Sequence, residues 1–130
     1  MEPPTVATGT LASFPPLRES VAQSRGELRK FLNGHVEDTV CDIALLLESE
    51  LATNAVLHAA TDFVLSATFT AKGLHVAVED RRPGQPPVVP LAAPDVVGGR
   101  GVLILNALAE QWGVEPTATG KRVWFELSRD

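Results

Sequence analysis

Glu50 and Asn54 stand four residues apart in a stretch with helical periodicity. Side chains at that spacing lie one above the other on a single helix face, with His58 one further turn along. A carboxylate beside a carboxamide in a partly covered cleft can orient a nucleophile and offer an oxygen to Mg²⁺, a hard cation that prefers oxygen ligands and substrate phosphates. Taken alone, such a pair more commonly is a surface hydrogen bond that supports its helix. Asp80 is a second candidate: it could accept an exocyclic amine of the kind adenine presents, or cap the turn that follows it. Gly98-Gly99-Arg100-Gly101 precedes a third helical pattern, where backbone N–H groups can approach a phosphate and the helix dipole favours negative charge. Glycines there also serve as plain hinges. A single histidine such as His58 is commonly a structural residue, and Trp112 and Trp124 suit packing in a core or an interface.

These residues need elements to hold them. Residues 1–16 contain four prolines and no periodicity, and read as a flexible arm with room for a short edge strand; residues 17–130 form the domain. From Arg18 to His35, Val21, Leu28, Phe31 and Leu32 fall at helical spacing, and Asn33-Gly34 supplies a stop. Asp38 or Thr39 can cap a second helix in which Val40, Ile43, Ala44, Leu47, Leu51 and Ala55 recur to about Ala59. Phe63 to Ala71 alternates with a period of two, and Lys72-Gly73 turns the chain into a returning strand. That strand places Leu74, Val76 and Val78 on one face, and the same parity sets Asp80 inward at its end.

From Arg81 to Val97 there are five prolines and no regular period, so the stretch reads as a long loop with the character of a lid. Val102 to Glu110 suits a buried helix, and Trp112–Val114 with Lys121–Leu127 supply two closing strands. The expected fold is therefore α+β, a two-layer sandwich with a mixed, mostly antiparallel sheet and about three helices on one face.

A chain of 130 residues with 45% hydrophobic and 21% charged residues can build one core, which excludes wholesale disorder and two independent domains. Its net charge of −5 opposes the basic footprint of non-specific nucleic-acid binding. A single cysteine, Cys41, excludes an intramolecular disulfide framework and suits a reducing cytoplasm. No apolar run has the length of a membrane span, and the start of the sequence lacks the pattern of a signal peptide, so the expected location is cytoplasmic, with no membrane partner.

Taken together, four segments carry a resemblance: Glu50-Leu-Ala-Thr-Asn-Ala-Val-Leu-His58, Val78-Glu-Asp-Arg-Arg-Pro-Gly84, Gly98-Gly-Arg-Gly-Val-Leu-Ile-Leu105 and Gly120-Lys-Arg-Val-Trp-Phe-Glu-Leu127. In this order they resemble the Bergerat-fold (GHKL) ATPase superfamily, nearest to its stand-alone anti-sigma-factor serine/threonine kinases of actinobacterial type. The resemblance implies ATP and Mg²⁺ as cofactors, with Asn54 on the metal and Glu50 as base or orienter for an attacking hydroxyl. It implies that Asp80 accepts the adenine amino group and that Gly84 lets the backbone pass close to the base. Gly99, Arg100 and Gly101 would line the phosphates, His58 would face the nucleotide side, and Gln85–Val97 would be a short lid. Two positions depart from the family pattern: Arg82 replaces its first glycine, and Lys121-Arg122 replaces a threonine that assists the aspartate. The implied activity is transfer of a phosphoryl group to a serine of a STAS-type anti-sigma-factor antagonist, with a sigma factor as second partner and a homodimer as the assembly. The alternatives are a non-enzymatic ATP-binding partner switch and a nucleotide-free protein-interaction domain.

Overall fold

The computed structural model describes residues 9–82 and 101–129. Five strands and three helices form its elements, in the order β1 (Thr10–Phe14), α1 (Arg18–Leu32), α2 (Asp38–Asn54), β2 (Phe63–Thr70), β3 (Gly73–Asp80), α3 (Gly101–Leu108), β4 (Gln111–Pro116) and β5 (Lys121–Leu127). A single π-helical turn, Ala55–Ala59, extends α2. The strands make one sheet in the order β1-β2-β3-β5-β4, and each of the four pairings is antiparallel. The α+β reading holds, and among the described strands the sheet is wholly antiparallel. The edge strand β1 lies inside the segment read as an arm.

Periodicity accounts for most of this. On α1, Ser20, Ser24, Leu28 and Leu32 are buried at steps of four, while Glu19 in the first turn and Arg29 and Lys30 in the last suit the helix dipole. The helix stops where Gly34 takes a φ of +81°, a conformation that costs glycine little. Helix α2 begins at Asp38, with Glu37 rather than Asp38 or Thr39 at the cap position and no side-chain cap bond. Its buried Val40, Ala44, Leu47, Leu51 and Ala52 pack onto the sheet. Phe63, Leu65 and Ala67 of β2, Leu74, Val76 and Val78 of β3, and Val123, Phe125 and Leu127 of β5 share the inner face. Burying these side chains, each worth about 1.5–3 kcal/mol for the larger ones, supplies the main drive to fold.

The tight turn between β2 and β3 falls at Lys72-Gly73 as the sequence predicts. Gly73 has a φ of +147°, and a Cβ there would meet the Leu127 carbonyl oxygen at 2.2 Å, so the neighbouring strand leaves no room for a side chain. The far side of the sheet carries Trp124, which stacks on His75 with ring centroids 5.3 Å apart and lies over Gly113. Trp112 instead packs against the core from β4 and donates its indole N–H to Asn106 Oδ1 at 2.9 Å.

Candidate nucleotide site

The inner face of the sheet changes character at one end. Along β3 the inward row runs Leu74, Val76, Val78 and then Asp80, which pairs across the sheet with Phe63 of β2 and Lys121 of β5. Asp80 is only 4% exposed, so the parity reading is correct: the carboxylate sits at the inner end of the strand. A carboxylate in such a place must be compensated, because burying a charge without partners costs several kcal/mol. Compensation comes from two directions. Lys121 Nζ lies 2.5 Å from Asp80 Oδ2, and the Arg82 backbone N–H donates to Oδ1 at 3.1 Å.

The backbones around this pair are in close contact. A Cβ on Gly120 would fall 2.2 Å from the Asp80 carbonyl oxygen and 2.8 Å from both Arg81 Cα and Arg82 N. Only glycine lets the start of β5 run this close to the end of β3, and that approach sets the Lys121 stem beside Asp80. Further anchoring comes from the Arg81 N–H, which donates to Thr61 Oγ1 at 2.9 Å, and from Arg82 Nη1, which donates to the His58 carbonyl at 3.0 Å. The end of β3 is thereby tied to the end of the α2 extension.

Asn54 is the last residue of α2 and is 3% exposed. Glu50, one turn earlier, is half-buried. Immediately after Asn54 the helix widens into the π turn, closed by Ala60 N–H to Ala55 O at 2.8 Å, and Ala60 leaves it with a φ of +56°. Sequence spacing expects one α-helix through about Ala59, with His58 on the stripe of Glu50 and Asn54. The i→i+5 turn shifts that phase, and His58 is exposed. Gly101 begins α3; Gly84, Gly99, Arg100 and the expected lid lie outside the described residues.

Helix α2 and its π turn both pack against β3, so the element bearing Glu50 and Asn54 borders the strand that ends in Asp80. The profile of the histidine kinase-like ATPase domain matches residues 14–127. The chain belongs to the histidine kinase-like ATPase family. Among curated proteins, none matches it significantly. Membership brings the ATP-binding fold of the family to this arrangement, and the matched span covers α1 through β5. No helix among the described residues is long and apolar enough to cross a membrane.

The donor set fits a magnesium ion shared with a nucleotide. Among the described residues no group of three His, Cys, Asp or Glu side chains could hold a metal without help. Asn54 can offer one amide oxygen, and phosphate oxygens and water would complete the shell, as is usual for Mg²⁺ at phosphate sites.

One buried acid escaped the sequence reading. Glu48 of α2 is fully buried and accepts a hydrogen bond from Ser24 Oγ of α1 at 2.7 Å, while its Oε1 and the buried Ser20 hydroxyl have no hydrogen-bond partner among the described residues. Burial pushes its carboxyl up to about 7, against the opposing pull of the Ser24 bond and the Arg25 charge. The signal was present in the sequence: Ser20 and Ser24 sit one helical turn apart, and Glu48 occupies the 44, 48, 51, 55 spacing of the apolar stripe.

Proposed function

We propose that this ATPase-family domain is an ATP-dependent regulator that transfers the γ-phosphoryl group to a serine hydroxyl of a protein partner and binds a sigma factor in a partner switch. The observation that carries the reading is Asp80, a buried carboxylate at the inner end of β3, bordered by the helix that bears Glu50 and Asn54. Asp80 would accept the 6-amino group of adenine. Glu50 would orient the serine hydroxyl and take its proton as the oxygen bonds to the γ-phosphorus and the bond to the β–γ bridging oxygen breaks. Asn54 would hold Mg²⁺, which when bound neutralises charge on the phosphates. Phosphoryl transfer depends chiefly on positioning and charge neutralisation, so this small set of groups suffices.

The test is calorimetric titration with Mg-ATP, followed by incubation with γ-labelled ATP and STAS-type antagonist proteins from the same genome. Wild type should bind ATP, Asp80→Asn should bind at least about tenfold more weakly, and Glu50→Ala should keep ATP while losing label transfer. Transfer that survives Glu50→Ala would refute the assigned role of that residue. A second reading is a binding module that uses ATP without transferring phosphate. The Lys121–Asp80 ion pair favours it, since a nucleotide must share Asp80 with an internal cation. Tight ATP binding with no label on any partner would select it.

A further inference from the structure

We infer that the groove between the start of α2 and the end of α3 docks a basic amphipathic helix of a partner protein. It lies at the other end of the sheet from Asp80, since Leu127 in its lining pairs with Leu74 near the start of β3. The inference does not depend on the nucleotide reading.

The groove holds about 310 Å³. Val40 and Leu127, both buried, form its floor; half-buried Ile43 of α2 and Leu108 at the end of α3, 38% exposed, form its walls. On α2 the apolar wall continues to Leu46, 44% exposed, because Ile43 and Leu46 stand three apart on one helix face. Isolated exposed leucines are ordinary, but two that flank an isoleucine over an apolar floor make a continuous strip. A volume at the small end of ligand pockets takes a few aliphatic side chains and is too small to enclose a cofactor.

The rim sets the charge of the occupant. Glu37 stands ahead of α2 and Glu110 follows α3; both are exposed, and among the described residues neither carboxylate takes an ion pair. Asp38 and Asp42 add two exposed acids in the first turns of α2. Arg129, next to the lining residue Ser128, is committed elsewhere: it lies over the Phe69 ring at 4.8 Å and donates to the His35 carbonyl. Lys72 shares a neighbouring cleft with Glu110 and makes no ion pair with it. Unpaired acids around an apolar strip complement a segment whose apolar side chains are bordered by Lys or Arg.

Backbone geometry selects a helix. The strand under the groove, β5, is bonded to β3 on one side and β4 on the other, so it has no open edge to which an extended peptide could add. A segment entering an apolar groove there must satisfy its own backbone, as a helix does, and meet the protein through side chains. Apolar residues at i, i+3, i+4 and i+7 would cover Leu108, Ile43 and Leu46, while flanking cations reach Glu37 and Glu110.

The experiment is fluorescence anisotropy on the full chain with labelled helical peptides of about 18 residues. One is built of leucine and lysine with the leucines on a single face, one has glutamate for lysine, and one is a scramble of the first without an apolar face. The first should bind with a Kd of about micromolar order, and the other two at least about tenfold more weakly. Leu108→Ser, and Glu37→Gln combined with Glu110→Gln, should each weaken the first peptide about fivefold or more. Asp62→Lys shifts net charge as much as the double variant does, but at an exposed position beside Phe63, which pairs with Asp80, and should leave binding within about twofold of wild type. Unfolding midpoints verify that each variant is folded; should Leu108→Ser misfold, Leu46→Ser carries the same test. No binding of the first peptide, equal binding of the scramble, or groove variants that bind like wild type overturns the inference. So does a loss with Asp62→Lys equal to that of the glutamate pair, since attraction would then follow net charge alone. Calorimetry with Mg-ATP on the same variants should match wild type, so the groove and the nucleotide site fail separately.

Discussion

Asp80 and Glu48 are both buried acids near α2, yet the chain has solved their burial in opposite ways. Asp80 at the sheet end meets an ammonium and a backbone N–H. Glu48 between α1 and α2 meets one hydroxyl, and Arg25, the charged group that influences it, donates to Ser49 Oγ at 3.0 Å. An acid given a cation can remain charged out of water, and so can face a polar ligand. An acid given only a hydroxyl shifts toward its neutral form and serves packing. Burial alone therefore does not characterise a carboxylate; the chemistry of its partners is what separates these two.

The comparison can be broken from either side. The largest effect is expected from Lys121→Met, which strands Asp80 and should cost about 4 kcal/mol in denaturant unfolding. Adding Asp80→Asn to that variant should restore most of the loss, a coupling that a double-mutant cycle measures. Equal losses in the single and double variants would show that the pair is not coupled.

Glu48 should give a pH signature instead. Its folded-state pKa of about 7 lies above its ordinary 4.5, so the native state binds the extra proton between those values. Its contribution is fully present below about 4.5 and is lost as pH rises through about 7, a span of about 3 kcal/mol at most. Glu48→Gln should flatten that part of the stability profile and make the protein more stable than wild type at pH 8. A wild-type profile with no such slope would place the carboxyl in a more polar setting.

Gly120→Ala sharpens the comparison by acting on the backbone at the Asp80 end. The new Cβ would fall 2.2 Å from a carbonyl oxygen, so β5 must move off β3 there, at about 2 kcal/mol in thermal unfolding and with weaker nucleotide binding. Arg82→Ala should have the smallest effect, about 0.5 kcal/mol, since it removes one exposed bond to the His58 carbonyl. If binding nonetheless falls sharply in that variant, the tie between β3 and the π turn shapes the site more than it stabilises the fold.

Much of the fold was readable from local pattern. The period of two along Gly73–Asp80 set both the core face and the inward position of Asp80, because parity is a local property of a strand. The apolar stripe of α2 and the turn at Lys72-Gly73 were readable for the same reason. The Lys121–Asp80 pair was not, since it depends on a register that brings together residues 41 positions apart in the sequence. Sequence marked Lys121 only as a departure from a family pattern, and its position across from the acid needed three-dimensional placement. The π turn was also hidden: apolar spacing through Ala55 and Ala59 suits an α-helix, and a single wider turn changes the phase of His58 without changing composition. Glu48 was legible in principle, but a glutamate among leucines on a helix is ordinarily assigned to the surface until its neighbours are known.

Hydrogen-bonded order in the sheet differs from chain order: β5 inserts between β3 and β4. During synthesis, β3 must therefore wait with one open edge while the next 41 residues are added to reach Lys121, a delay of seconds at about 5–20 residues per second. Throughout that interval the nascent polypeptide carries Asp80 without its counterion, and the hydrophobic side of the hairpin is open to chaperones. Strand β5 thus completes the core and the acid's ion pair in one event.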